Sequence, residues 1–517
     1  MHRTAPVLGL VALLVALSAP ERGAAVSAPA VLAQSAGAAR AATPPAFPGA
    51  EGFGAAASGG RGGRVIYVTT LNASGTGSLQ AALDQTGPRT VLFKVSGVIA
   101  GVPRLSQPDV TVAGQSSPGG VVLRGLNIEG DEVCEADGCP LPRVTPRNFI
   151  VRHLRLRPAG VGDDGLRLHR ARLGIIDHVS VGNAQDEAVQ ISFSSDITVQ
   201  RSLLAETVGD HAEFGGMLLN YSDPRRGFPL TRLSLHHNLW NRIVGRLPEI
   251  SRENPSAAGT TADIEFSNNV AYDPSRPVAI SNTSLVNSPA RGYDTQPVYL
   301  RLNAVGNLFY AQPSRFSHGM FTLEGAGLPD EGYLPPGTPT RLFLSDNRIN
   351  LYPGVQDHAL IYCCNDFPEA AVGGGLPFAS ARPGFAAPAR HPFPAITYHP
   401  SAGLLKELSR DVGAFPRDSM DRRLMGHVAR GTFDPAPQDV NPVGDALQLD
   451  FTVPPAPPTD TDGDGLPDAW ESAHGLKPTS AADGPATTLS ARLLGVPGYT
   501  NLEVYLHGLS EQRIAGR

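Results

Sequence analysis

The sequence predicts an all-β fold, a right-handed parallel β-helix solenoid, followed by a small helical module at the C-terminal end. Three observations predict it. Gly 57 and Pro 47 in 517 residues, with only 17% charged residues, suit many short strands joined by turns and argue against a helical bundle. From Arg64 to Tyr352 a loose unit recurs, a short β-type run, a turn and another short run. Four later copies, LSLHHNLW, IEFSNNVAY, LRLNAVGNLFY and LFLSDNRINLY, each place an asparagine in or just after an alternating strand, at Asn238, Asn269, Asn307 and Asn347. The spacings are 31, 38 and 40 residues.

Stacked coils account for that recurrence, because each turn lays its strands on the turn before and equivalent side chains line up in rows. Asparagine suits such a row, since it tolerates the left-handed conformation at a tight bend and bonds to backbone there. A propeller repeats at a similar period, but with four strands per unit where these copies show two or three.

Taken in order, residues 1–33 read as a signal peptide. The start is short and basic, and the apolar run from Val7 to Ala19 is too short to cross about 30 Å of hydrocarbon. Cleavage falls somewhere between Ala19 and Ala33, no later segment reads as a membrane span, and export follows. Residues 34–46 read as a flexible segment, 47–436 as the solenoid domain, 437–459 as a Pro-rich linker and 460–517 as the tail module. Four loops break the periodicity, GVGDDG, DPRRGFP, SRENPSAAGT and GLPDEGYLPPGTP, and such insertions commonly form a solenoid's binding face. The segment LLKELSRDVGAFPRDSMDRRLMGHVARG is partly helical and is expected to pack on the solenoid's end.

Export makes disulfides an expectation. Cys134 and Cys139 make the least demanding pair; a bridge between adjacent Cys363 and Cys364 would be strained, and a four-thiolate zinc site is the weaker reading. Net charge is -6, with arginines scattered, so the chain has no electrostatic footprint for nucleic acid.

The tail carries the best-defined short motif, TDTDGDGLPDAWESAHGL. Asp460, Asp462, Asp464, Gly465, Leu466, Asp468 and Glu471 fall at the spacing of a calcium loop: carboxylates first, a glycine for the sharp turn, the Leu466 carbonyl, and a closing glutamate. A solvated acidic linker would not need Gly465 and Glu471 in register. Thr500 or Asn501 is expected to cap the helix that follows.

If the coils stack, three central clusters become neighbours: GDDG with Asp163 and Asp164, NAQDEAVQ with Asp186 and Glu187, and HHNLWNRIVGRLPEIS with Arg246. Carboxylates from adjacent coils suit Ca²⁺, a hard ion that takes six to eight oxygens. The bland reading is a set of solvated loop carboxylates. Glu187, as a neighbour of Asp186, points elsewhere if both lie on one strand. By the same alternation His236 and His237 face opposite sides, against joint metal ligation.

At these residues the sequence resembles the pectate lyase family of polysaccharide lyases. The likeness covers about residues 47 to 430, through PGAEGFGAAASGGRGGRVIYVTT, VTVAGQSSPGG, RHLRLRP, GDDGLRL, IIDHVSVGNAQDEAVQI, ITVQRSLLAE, HHNLWNRIVGRLP and DVGAFPRDSMDRRL. The resemblance implies a right-handed parallel β-helix and a calcium ion that neutralises a uronate carboxylate of the polymer. It implies that Arg246, in its Arg-x-Pro setting, takes the proton from C5 of the galacturonate. Asp164 and Asp186 match calcium ligands, and His178 supports the coil. The expected partner is an acidic polysaccharide of the plant cell-wall type, met by a secreted monomer.

Three positions depart from the family pattern. Gln190 stands where an aspartate is usual, Glu213 where a basic residue is expected, and Ser251 where a second arginine often follows. Arg242, Arg225 and Arg226 are the candidates for substrate-binding charge in its place. A guanidinium, with pKa above about 12, is a poor base, so charge stabilisation is an alternative role for Arg246. Glycoside hydrolysis by paired carboxylates, and carbohydrate binding without cleavage, are the competing readings.

Overall fold

The computed structural model describes residues 43–131, 140–208, 215–281, 283–287, 293–317, 319–324, 337–362 and 384–516. Parallel strands form three sheets among them, ten strands in the first and nine in each of the other two. Each coil visits all three. In the GDDG coil, Leu166–His169 lies in the third sheet, Arg172–Asp177 in the first and Ser180–Gly182 in the second. The chain then re-enters the third sheet at Val189–Ser192, one coil further on. Register is kept throughout: Leu168 pairs with Ile191, Ile176 with Val199 and Val181 with Leu204. All six side chains are buried in one continuous core, so the rows the sequence pattern implies are the core of a parallel β-helix.

The asparagine row is a hydrogen-bonded ladder. Oδ1 of Asn269 accepts from the backbone N–H (3.0 Å) and the side-chain amide (3.2 Å) of Asn238, and Nδ2 of Asn269 donates to the Leu235 carbonyl at 2.9 Å. Asn307 receives Asn269 in the same way, and Asn347 receives Asn307. The left-handed residue at this bend is the one before each ladder position, however: His237 (φ 56°), Asn268 (φ 51°), Gly306 (φ 67°) and Asp346 (φ 58°). The bend residue turns the chain, and the asparagine after it points inward to satisfy the backbone groups the bend exposes. The same geometry overturns the expectation for His236 and His237. Because His237 sits in the bend rather than on the strand Thr231–His236, the two Nδ1 atoms are 2.9 Å apart.

Helices Ser401–Asp411 and Ser419–Arg430 do not cover the solenoid's end. They lie along the outer face of the second sheet, where Leu404, Leu408, Met420, Leu424 and Val428 pack on Leu203, Ala205, Leu239, Val270 and Tyr272. The reason is visible in the sheet, whose outward positions there are apolar. Buried ion pairs fix the seating. Arg157 meets Asp421 at 2.7 Å, Arg155 meets Asp418 at 3.4 Å, and the Ser180 hydroxyl donates to Asp421 at 2.6 Å. The RHLRLRP and FPRDSMDRRL segments are thus two halves of one internal contact.

The tail packs on the first sheet. Leu466, Leu502 and Leu506 form one apolar cluster with Leu92 and Ala113 of the solenoid, each fully buried leucine contributing roughly 1.5–3 kcal/mol. Thr500 caps the helix Asn501–Ile514 in a reciprocal capping box with Glu503. Glu503 also pairs with Arg61 at 2.8 Å, and the Ser510 hydroxyl meets His153 at 2.7 Å. Pro44 and Pro45, within the expected flexible segment, accept hydrogen bonds from Arg61 at 3.1 and 2.7 Å.

The expectation of a disulfide bond is corrected. None occurs among the described residues, and Cys134, Cys139, Cys363 and Cys364 all lie outside them. Among the described residues, one core runs through the coils, so the stacking itself does not depend on covalent staples there. Residues 1–42, which include the signal-peptide reading, also lie outside the described residues. No helix among the described residues is long and apolar enough to cross a membrane.

Candidate functional site

The candidate site is built on the corner where the chain passes from the second sheet to the third. Asp164 precedes the strand Leu166–His169, Asp186 and Glu187 precede Val189–Ser192, and Arg246 precedes Glu249–Ile250 two coils on. Ligand oxygens of Asp164, Asp186 and Glu187 lie within 4.8 Å of one another. Both Asp186 and Glu187 are in the loop before their strand, where the alternation of a pleat does not apply, so both reach the cluster. Asp163 does not join them: its side chain is exposed, and its carbonyl accepts the N–H groups of Gln185 (2.9 Å) and Asp186 (3.1 Å). Oδ1 of Asp164 accepts the Glu187 N–H at 3.1 Å, which ties the two coils together.

Two glycines permit this closeness. A Cβ at Gly165 would stand 2.1 Å from Val181, and one at Gly216 would stand 2.1 Å from the Arg246 carbonyl. The second contact brings the arginine's coil down onto the acidic loops, as the Met217 N–H donates to Arg246 at 2.6 Å. Arg246 itself, in the left-handed conformation (φ 54°), forms an ion pair with Glu187 and places Nε 2.9 Å from Oε2 of Glu249. Glu187 is 2% exposed, so the guanidinium compensates an almost wholly buried carboxylate.

The departures from the family pattern have structural consequences. Gln190 is buried in register between Arg167 and Leu218, and its Oε1 has no hydrogen-bond partner. Ser251 is 1% exposed, with its hydroxyl 3.4 Å from Glu253. Glu213 lies outside the described residues. The structure does not bring Arg242 to the cluster. It is 2% exposed just past the second-sheet strand Leu239–Asn241, where it pairs with Glu206 at 2.7 Å and donates to the Ala436 carbonyl at 3.1 Å. Arg226 pairs with Asp223 at 2.6 Å, and Arg225 is exposed beside it.

A second acidic group forms in the tail, where Asp460, Asp462 and Asp464 present oxygens within 4.8 Å of one another. The loop is tightly wound: Asp460 accepts from Gly463 at 2.8 Å, and Asp464 accepts from Leu466 at 2.9 Å and Gly484 at 2.6 Å. Asp468 is engaged by the Thr461 N–H (2.8 Å) and hydroxyl (2.7 Å). Glu471 stands outside this set of three, yet it is 0% exposed and neither carboxylate oxygen has a hydrogen-bond partner. Burial, then the charges of Asp464 and Asp462, push its carboxyl up to about 7. A buried carboxylate without a partner beside three others fits a cation site, because no protein group offsets its charge.

A third group, His153, Asp177 and His178, has its own partners. Asp177 accepts from Arg152 (2.7 Å), His178 (2.8 Å) and Gln200 (2.8 Å), so its carboxylate is engaged within the protein.

Sequence reasoning missed the engagement of Arg246 by Glu249. The signal was present, as Glu249 stands three residues after Arg246.

No family model matches the chain. A probable pectate lyase C of Aspergillus terreus is 30% identical over 477 residues, covering 90% of this chain and 94% of that protein. A probable pectate lyase C of Aspergillus fumigatus is 32% identical over 477 residues, covering 90% and 93%. Among solved structures, a pectate lyase from Bacillus sp. N165 in complex with trigalacturonate aligns at 14% identity and a TM-score of 0.42, covering 70% of this chain and 98% of that one. With 30% to 32% identity to these fungal proteins across 90% of its length, the chain belongs to the pectate lyase family.

Proposed function

We propose that the chain is an exported, calcium-assisted lyase of galacturonate-containing polysaccharide. The observation that carries this reading is the convergence of Asp164, Asp186 and Glu187 from two successive coils, with Arg246, from two coils further on, paired to Glu187. Three carboxylates and the unpartnered amide oxygen of Gln190 on the adjoining strand fit a hard, oxygen-seeking cation. Bound Ca²⁺ would supply positive charge to a uronate carboxylate, which lowers the cost of enolate-like charge at C5.

Arg246 is the group that meets C5. It is paired to two carboxylates, and a guanidinium, with pKa above about 12, is a poor base on its own. The C5 proton is therefore assigned to the Arg246–Glu249 pair, with Glu249 as acceptor and Arg246 stabilising the developing charge. The C4–O bond breaks, a C4–C5 double bond forms, the leaving oxygen takes a proton from water, and the hydroxide left behind takes the C5 proton back from Glu249, which restores the carboxylate. The cluster is narrower than the about 6.5–9.5 Å of inverting hydrolysis and close to the about 5 Å of retaining hydrolysis, which differs from a lyase in giving no unsaturated product. The tail loop is read as a structural calcium lock, using Asp460, Asp462, Asp464, the Leu466 carbonyl and Glu471, with Asp468 turned to Thr461.

The test is turnover of polygalacturonate with added Ca²⁺, followed by the ultraviolet absorbance of unsaturated ends. Arg246→Lys and Glu249→Gln are each expected to lower turnover by about 100-fold or more. Reducing ends without unsaturated product would overturn the lyase reading. Full turnover by Glu249→Gln would return the proton to Arg246 alone.

A further inference from the structure

We propose that Tyr67 of the solenoid is a positioning residue for the tail calcium loop: its hydroxyl holds the loop's first carboxylate, Asp460, in the orientation that receives the ion. This inference rests on the reading of the tail as a calcium lock. It adds that the solenoid, and not the tail alone, sets how tightly that lock holds calcium.

Tyr67 lies on the strand Arg64–Val68, in register with Leu92 of the next strand. Successive side chains of a strand face opposite ways, so Ile66 and Val68 pack on the solenoid core while Val65 and Tyr67 pack on the cluster shared with the tail. Packing alone asks only for an apolar side chain at such a position. The phenol adds a hydroxyl, and that hydroxyl donates to Oδ2 of Asp460. Nζ of Lys94 lies 3.8 Å from the centre of the Tyr67 ring, a cation–π contact that further fixes it.

The three aspartates of the loop are held differently. Asp462 accepts the Asp464 N–H at 3.3 Å, and Asp464 accepts from Leu466 and Gly484, all groups of the tail. Asp460 is held from both sides of the contact. Its Oδ1 accepts the Gly463 N–H at 2.8 Å, and its Oδ2 accepts the Gly465 N–H at 3.2 Å together with the Tyr67 hydroxyl. A carboxylate offers about four acceptor positions, so with three engaged the remaining one is left for an ion. Leu466, whose carbonyl takes the seventh position of the loop, is anchored on the same surface, its side chain 0% exposed in the cluster with Leu92 and Ala113. Between these two anchors Gly465 turns with φ 98°, and a Cβ there would stand 3.1 Å from Leu92. That an ion belongs here is marked by buried oxygens without hydrogen-bond partners, both of Glu471 and Oδ2 of Asp462. Groups that bond to metal ligands orient them, and losing one costs about 10–100-fold in metal affinity.

The experiment is calorimetric titration with Ca²⁺ of the full chain carrying Asp186→Ala, which removes a groove ligand; the tail site is the binding that Glu471→Gln abolishes. Tyr67→Phe keeps the ring and its packing and removes only the hydroxyl. It is expected to weaken calcium binding at the tail by about tenfold. Arg513→Gln removes a tail contact outside the loop, with the Ser117 and Pro118 carbonyls at 2.9 Å each, and is expected to leave calcium binding unchanged. Unchanged affinity in Tyr67→Phe overturns the positioning role. Equal weakening in both variants overturns it too, because docking of the tail would then account for the loss. If the Asp186→Ala chain shows no calcium binding that Glu471→Gln removes, the calcium reading of the tail falls and this inference with it.

Discussion

The groove and the tail each gather three carboxylates within the same span of 4.8 Å, yet the chain treats the two clusters differently. In the groove it supplies its own cation, Arg246, to the nearly buried Glu187. In the tail, buried Glu471 has no hydrogen-bond partner among the described residues. A site that already holds a neutralising arginine suits an ion that comes and goes with substrate. A site with an uncompensated buried carboxylate suits an ion that stays.

The largest expected effect breaks this comparison most directly. Arg246→Met strands Glu187, and removing one partner of a buried pair costs about 3–5 kcal/mol. Denaturation in chelator should show that loss, and calcium should recover part of it. Glu471→Gln, in the same chelator, should have the opposite sign, because it removes a buried charge that nothing offsets. If both substitutions destabilise alike without calcium, the distinction between the clusters is wrong.

A second effect follows with calcium present. An ion held only by the folded state at 100 to 1,000 times its dissociation constant stabilises by about 3–4 kcal/mol. Calcium should raise the melting temperature of the parent, and Glu471→Gln should lose most of that rise. Asp163→Asn should lose none of it, since the Asp163 side chain is outside both clusters. A full calcium response in Glu471→Gln would remove the tail from the account.

How much of this was legible in the sequence depends on whether a residue's position follows from periodicity. The Asn238 to Asn347 spacing showed the stacked rows, because in-register stacking is what such a repeat encodes. The cluster at Asp164, Asp186 and Glu187 was legible as neighbours once coils were stacked. The failures sit where periodicity stops. Alternation misjudged Glu187 and His237, since each lies in a loop or bend that the period-two rule does not govern. Arg242 was read as substrate-facing because exposure cannot be seen in a chain rich in arginine. Its partner Glu206 lies a full coil away, and the Pro437 and Val440 carbonyls beyond that. The seating of the helices on the second sheet was hidden for the same reason, as RHLRLRP and FPRDSMDRRL are 264 residues apart at the Arg157 to Asp421 contact between them.

The last expected effect, the smallest near neutral pH, belongs to neither cluster and serves to separate them from the core. His169 is fully buried, with neither ring nitrogen hydrogen-bonded, and its ring sits edge-on to Phe193 at 5.1 Å. Burial, reinforced by Arg170 and Arg167, lowers its ionisation to about 3. Burial and Arg201 bring His236 to about 3 as well. Both are neutral in the folded chain, while an unfolded histidine takes up its proton near 6.5. Between these limits the unfolded state binds more protons, so the stability present above about 6.5 is lost as pH falls toward 3. Each such histidine adds at most about 1.4 kcal/mol per pH unit to the slope. The share of that decline due to His169, read as the difference between the parent and His169→Leu, should be the same in calcium and in chelator, since its cause is apolar burial. His169→Leu should make the slope shallower by up to one proton. An unchanged slope in that variant would mean that His169 is protonated in the folded chain, and that a carboxylate rather than the core controls the acid limb.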